Sequence, residues 1–239
     1  MRNNFELNCD LGEGIGNDPQ LMPLLDACSI ACGGHTGDQG SMEKTVKLAL
    51  LSSTAIGAHP SFPDRENFGR YPMAIEPEAL IASLINQVNS LQEICEKNQT
   101  SLTHIKLHGA LYNLAAQNVT YAQLAMEAFA EYTEVPLFVP FQSQLHYLCV
   151  ESKRLFKIEA FADRRYNSDL SLVSRDNPLA VIENPEEAKN QVAAISEKGI
   201  VTSIDNEDVS IKAETFCVHG DNDAAFDILK MLRSLKSND

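Results

Sequence analysis

Two imidazoles and an ammonium fall at alternate positions in the stretch 103–113, THIKLHGALYN. In an extended chain successive side chains point to opposite faces, so His104, Lys106 and His108 share one face while Ile105 and Leu107 take the other. Gly109 ends the run, and 110–114 favours a helix. The carboxyl end of such a strand is where α/β folds bind ligands. The same grammar, a short apolar run closed by Gly, His or Asp, recurs along the chain. Five of the six histidines, His35, His59, His104, His108 and His219, fall at or near expected strand ends. His146 falls in a helix and reads as structural.

Carboxylates follow the same rule: Asp10 and Glu13, Asp38, Asp64, Asp163 and Asp221. Asp38 and Asp221 precede helices, where a carboxylate also serves as a cap. Brought to one rim, these acids and imidazoles shift each other's pKa values and supply a general acid and base near neutral pH. Lys106, Arg164 and Arg175, with Arg65 and Arg70, sit among the same loops of an otherwise acidic chain. Such cations imply an anionic ligand, carboxylate or phosphate. Arg165 reads as a solvated surface residue.

Motifs narrow the chemistry. Gly12-x-Gly14-x-Gly16 misses the dinucleotide fingerprint because Asn17 stands where the third glycine belongs. No G-x-x-x-x-G-K-[ST], H-E-x-x-H or G-x-S-x-G is present. Asp10 with two imidazoles such as the strand pair His104 and His108 remains a candidate set for a divalent ion. Cys28 and Cys32 share a strand face with Ile30 and read as small buried hydrophobes, with a metal site as the other reading.

The elements that must position these residues are short and alternate. Strands are expected over 5–8, 27–31, 54–58, 103–108, 137–139, 157–161 and 215–218. Helices are expected from Asp18, as N-cap, to Leu25, and over 41–52, 77–98, 120–132, 143–152, 184–198 and 223–235. The 41–52 helix presents Met42, Val46, Ala49 and Leu50 at helical spacing, and 77–98 presents Leu80, Leu84, Val88, Leu91 and Cys95. Segments 200–204 and 209–211 read as paired strands. The loop PSFPDRENFGRYP, long for a compact domain, reads as functional or disordered. Alternating strands and helices give a parallel sheet with right-handed crossovers. About seven strands with chemistry at almost every end favour a closed (β/α) barrel over a doubly wound open sheet.

The chain has 239 residues, expected as one domain over 1–239, with 44% hydrophobic residues, enough for a sizeable core. Its 19 basic against 33 acidic residues leave a net charge of −14, which argues against nucleic acid and anionic membrane surfaces as partners. No apolar run approaches the ~18 residues of a membrane helix. The polar start MRNNFELNCD and six cysteines read as a reduced protein of the cytoplasm.

Taken together and in order, NCDLGEG, ACGGHTGD, IGAHPSFPD with FGR, HIKLHGALYN, FADRRY, LVSR and CVHGD resemble the LamB/YcsF family from about residue 7 to 221. Gly34 stands where that family usually has Phe, which bears on the shape of the substrate pocket, and Leu107 where it usually has Pro. The resemblance implies a distorted seven-stranded (β/α) barrel, similar to the glycoside hydrolase/deacetylase barrel. It implies the role of the A subunit of an ATP-hydrolysing 5-oxoprolinase, opening 5-oxo-L-proline to L-glutamate with subunits B and C. ATP, with Mg²⁺, is the implied cofactor, and no tightly bound metal is expected. Under that implication Asp10, His35, Lys106 and His108 are catalytic. Glu13, Asp38, His59, Arg70, Asp163, Arg164, Arg175, His219 and Asp221 bind substrate or phosphate, with Glu13 and Asp38 holding Mg²⁺ or orienting the imidazoles. Two other readings stand beside it: a stand-alone metal-dependent deacetylase or amidohydrolase, and a non-catalytic subunit that binds a small acid.

Overall fold

Seven parallel strands pair side by side and close on themselves into a barrel. The computed structural model describes residues 5–237, so both extremities of the expected 1–239 unit lie outside the described residues. In chain order the elements are β1 (Glu6–Leu11), α1 (Asp18–Leu21) running into a 3₁₀ turn, β2 (Ala27–Ala31), α2 (Gln39–Ser52) and β3 (Ala55–His59). Then come α3 (Pro77–Lys97), β4 (His104–Ile105), α4 (Gly109–Gln117), α5 (Val119–Ala128), β5 (Leu137–Pro140) and α6 (Gln144–Ser152). The chain finishes with β6 (Phe156–Phe161), α7 (Pro185–Ala193) continued by a π-helical turn, β7 (Ile200–Thr202), β8 (Asp208–Ser210), β9 (Thr215–Cys217) and α8 (Ala225–Ser237). Closure is made by β9, whose Phe216 pairs with Leu7 on one side and Ala160 on the other. β7 and β8 form the expected antiparallel pair, apart from the barrel.

The alternation along β1 explains why the barrel interior is polar. Leu7, Cys9 and Leu11 belong to the hydrophobic core, while Asn8 and Asp10 turn inward onto side chains of opposite strands. This strand is longer than the sequence suggests and draws Asp10 into the ladder, opposite Ser29. Its inward polar residues are satisfied across the barrel, Asn8 by Glu159 and Thr215 and Asp10 by Lys106, so polarity does not break the strand. β4 makes a ladder only at His104 and Ile105, yet the chain stays extended to His108. Lys106 N–H donates to the Ala58 carbonyl, and His108 N–H to that of Pro60. His104, Lys106 and His108 therefore do share the inner face.

Helices cover the outside. On α3 the expected stripe Leu80, Leu84, Val88, Leu91 and Cys95 is buried, each large apolar side chain contributing roughly 1.5–3 kcal/mol. On α2, Met42, Val46 and Ala49 are buried, but Leu50 is 42% exposed and Thr45 takes the inner place. Asp18 is not the cap of α1: Asn17 holds that position, and the Asp18 carboxylate instead accepts the Gly12 N–H at 3.0 Å. Cys28, Ile30 and Cys32 are all buried, as their shared face predicts.

Two glycines are dictated by close approach. A Cβ on Gly57 would stand 2.2 Å from the His104 ring, which is held between Ser29 and Phe138. Gly109, at φ +56°, would meet the Gly69 carbonyl oxygen at 2.6 Å. Gly57→Ala is therefore expected to destabilise by roughly 1–3 kcal/mol through overpacking, measured by urea unfolding. Combining it with His104→Ala should recover part of that loss, because the two changes share one space.

Candidate active site

Lys106 is the centre of the barrel floor. Its buried Nζ lies 3.0 Å from Asp10 Oδ1, 3.0 Å from Glu159 Oε1 and 3.1 Å from Cys217 Sγ. Burial alone would lower its pKa, but Asp10, Cys217 and Glu159 raise it well above the ordinary lysine value. Burial likewise raises Asp10, and His59 with Lys106 overrides this and holds its carboxyl well below the usual range. Glu159 is also fixed by Asn8 Nδ2 at 3.0 Å and by the Tyr112 hydroxyl at 2.8 Å. The floor is thus a charged lattice with every member in place.

Above it three imidazoles meet. His59 Nε2 is 3.3 Å from Asp10 Oδ2 and 2.9 Å from His108 Nδ1. His35 stacks on His108, ring centroids 3.6 Å apart, and its Nε2 lies 3.1 Å from Glu13 Oε1. Burial, and then the neighbouring imidazoles, lower His108 well below the ordinary histidine value; burial also lowers His35. The long loop after β3 closes this cluster: Phe68 offers its carbonyl to His108 Nε2 at 2.9 Å, and Gly69 packs on His35 and His108.

The cluster opens into a cavity of about 340 Å³, within the ~300–1,000 Å³ of small-molecule sites. An adjoining hollow of about 470 Å³ shares Tyr112, Asn113, Phe161, Leu172 and Ser174 with it. At the mouth Arg70 and Arg175 both donate to Asp221, at 2.6 and 3.2 Å. Arg164 lines the wall with its guanidinium on the Val173 and Ala180 carbonyls, and burial lowers it to about 10. His219 also lines the wall, its Nδ1 2.9 Å from Asp163 Oδ1.

Of the residues expected from sequence, ten line the cavity: Asp10, Glu13, His59, Lys106 and His108 at the floor, and Arg70, Arg164, Arg175, His219 and Asp221 around it. His35 and Asp163 stand behind, braced against His108 and His219. Asp38 must be corrected. Its exposed carboxylate accepts the Ser41 N–H at 2.8 Å in a capping box and serves α2, away from the cavity. Arg65 bonds the Gly33 and Gly37 carbonyls, and Asp64 turns its own loop through Asn67. His104 lies below the cavity, stacked on Phe138, and burial pushes it down to about 3. Gly34 does not shape the pocket either, since a Cβ there would run into Gln87 and Ser61, 2.3 Å away.

Sequence reasoning missed Glu159, Asn8, Tyr112 and Cys217. For Glu159 and Asn8 a signal existed: each is a polar residue in phase with an inward neighbour, Phe161 or Asp10, inside an expected strand. Nothing local marks Cys217 or Tyr112.

A closed parallel barrel with an acid–imidazole–lysine floor and a cationic mouth defines the class of protein. The LamB/YcsF family model matches residues 5–239, and the chain belongs to that family. It is 40% identical over 229 residues to the A subunit of 5-oxoprolinase from Haemophilus influenzae (strain PittGG), covering 95% of this chain and 94% of that one. It is 38% identical over 238 residues to the A subunit of 5-oxoprolinase from Staphylococcus aureus (strain bovine RF122 / ET3-1), covering 96% and 94%. Among solved structures, the lactam utilization protein from Thermus thermophilus superposes with a TM-score of 0.90 at 31% identity, over 99% of this chain and 96% of that one. Among the described residues no helix is long and apolar enough to cross a membrane.

Two outcomes follow from the ion pairs. Lys106→Met leaves two buried carboxylates facing each other, and should cost about 3–5 kcal/mol in chemical unfolding. Asp163 is raised by burial, but His219 and then Asn222 bring it below the ordinary carboxylate value. A carboxyl depressed in the folded state contributes stability that is present above the unfolded pKa, near ~4, and lost as pH falls through the folded one. Asp163→Asn should therefore flatten the acid side of the stability–pH curve, read from thermal midpoints between about pH 2 and 6.

Proposed function

We propose that this chain is the A subunit of an ATP-dependent 5-oxoprolinase, opening the lactam of 5-oxo-L-proline to L-glutamate together with subunits B and C. The same reading makes residues 1–239 a single unit working in the cytoplasm. The observation that carries it is the juxtaposition of Asp10, His59, His108 and Lys106 at the floor of a cavity whose mouth holds Arg70, Arg164 and Arg175. The names carried by relatives at about 40% identity support it.

The substrate is an anion with a stable cyclic amide, so the site must hold a carboxylate and move protons at two atoms. Arg70 and Arg175 share the one Asp221 carboxylate, which leaves a positive charge at the mouth. That excess suits the substrate carboxylate or a phosphate, and with Arg164 it forms the anion-binding wall. ATP, when bound, supplies the phosphoryl group that makes the lactam carbonyl carbon more electrophilic. The chain's own contribution is proton transfer. The acid–imidazole group of Asp10 and His108, braced by the His35 ring stacked behind it, takes a proton from water and returns one to the departing nitrogen. Glu13 holds the His35 ring, and Asp163 holds that of His219. Lys106 keeps the floor charged and holds both oxygens of the Asp10 carboxylate in place.

In a mixture with subunits B and C, Asp10→Asn and His108→Gln are expected to lower 5-oxoproline-dependent ATP hydrolysis and glutamate release by at least about 100-fold. Arg175→Ala should act mainly by raising the KM for 5-oxoproline. Full turnover in both floor variants, or no glutamate from the wild-type mixture, would overturn the proposal.

A further inference from the structure

Backbone carbonyls fix where the hydrogens lie in the imidazole cluster. His59 Nδ1 lies 2.8 Å from the Lys106 carbonyl oxygen, and His108 Nε2 lies 2.9 Å from the Phe68 carbonyl oxygen. A carbonyl oxygen only accepts, so both of these ring nitrogens carry hydrogen. In neutral rings the other nitrogens, His59 Nε2 and His108 Nδ1, are then bare lone pairs, yet they face each other at 2.9 Å. Carboxylate oxygens crowd the same point: Asp10 Oδ2 is 3.3 Å from His59 Nε2, and Glu13 Oε1 is 3.6 Å from His108 Nδ1. The acceptors follow one another as Asp10, His59, His108 and Glu13, with Glu13 and both rings within 4.8 Å of one another, and between neutral rings no hydrogen remains to hold them together.

We infer that His59, His108, Asp10 and Glu13 form a binding site for one divalent transition-metal ion of the zinc class. The donor set, two imidazoles and two carboxylates, suits such an ion. With bonds of about 2.0–2.2 Å, a tetrahedral ion spaces its ligand atoms about 3.3–3.6 Å apart, close to the 2.9, 3.3 and 3.6 Å of the pairs His59–His108, Asp10–His59 and Glu13–His108. Metal-ligating imidazoles donate their second N–H to a carbonyl or carboxylate, and both rings do so here, onto Lys106 and Phe68.

His35 is excluded from this set by geometry. Its ring lies parallel to that of His108, at 6°, so an ion in the plane of one is out of the plane of the other. His35 also has a complete set of partners as a neutral ring. The Ser61 hydroxyl, 3.0 Å away, donates to Nδ1, and Nε2–H donates to Glu13. It is a positioning residue that aims the Glu13 carboxylate. Lys106 does the same for Asp10, gripping both oxygens at 3.0 and 3.2 Å.

The competing account is a proton: one of the two rings is an imidazolium and donates to the other. The full chain, stripped with a chelator and dialysed free of metal, separates the two when titrated with Co²⁺ and then Zn²⁺. The expected result is one equivalent of Co²⁺ with visible ligand-field bands, displaced by Zn²⁺. His59→Gln and His108→Gln should each weaken binding about tenfold or more, His35→Gln about tenfold through Glu13, and His146→Gln not at all. Absence of binding by the wild-type chain overturns the inference even where a variant fails to fold. So does thiolate-to-cobalt charge transfer that survives in both histidine variants. A ¹⁵N spectrum showing a proton shared by His59 and His108 that added Zn²⁺ does not displace would overturn it as well. None of these readouts involves turnover, so loss of the metal site and loss of the lactam reading are separately visible.

Discussion

A single buried ammonium organises this barrel. Lys106 sits where water cannot reach, and its charge is tolerable only because Asp10 and Glu159 stand 3.0 Å away on opposite walls. Taking such ions out of water costs several kcal/mol each, and removing one partner leaves that cost unmatched. The network therefore constrains the closure of the sheet. β1 must bring Asp10, β6 must bring Glu159 and β9 must bring Cys217 to the tip of one side chain from β4. Register between these strands is fixed by side chains inside the barrel as well as by the hydrogen-bonded ladders outside.

The same lattice sets the chemistry above it. His59 and Lys106 together hold the Asp10 carboxyl well below the usual range, so the negative charge of the floor is presented to the imidazoles. His59 and His108 are oriented by the carbonyls of Lys106, just after β4, and of Phe68, in the loop after β3. That loop, irregular in sequence, is ordered by what it covers: Phe68 binds His108, Gly69 fits against two imidazole rings, and Arg70 reaches Asp221. A rigid charged floor with a loop laid over it positions the reactive groups on elements remote in sequence.

The mouth differs in kind from the floor. Arg70, Arg175 and Asp221 are partly exposed, and solvent screens their pairing. They are suited to exchanging one partner for another, as ligand capture requires. The floor is suited to holding still. This division separates residues whose loss should unfold the protein from residues whose loss should only weaken binding.

Much of this was legible in the sequence. Period-two placement of His104, Lys106 and His108 predicted a shared inner face, helical spacing in α3 predicted its buried stripe, and the recurrence of His and Asp at strand ends predicted one rim. Those features depend on local periodicity, which backbone geometry enforces residue by residue. Asp38 shows the limit: as a helix cap and as a rim acid it reads alike, and only its distance from the cavity separates the two. Glu159, Tyr112 and Cys217 show the converse, since a residue 47 or more positions away becomes a partner of Lys106 or of its counter-ion only when the sheet closes. Sequence by itself determined the barrel, its polar inner face and the residue types at its rim. Which imidazole faces which, and which acid holds the lysine, was decided by tertiary structure, because those contacts are set by strand register across the closure and no local pattern records them.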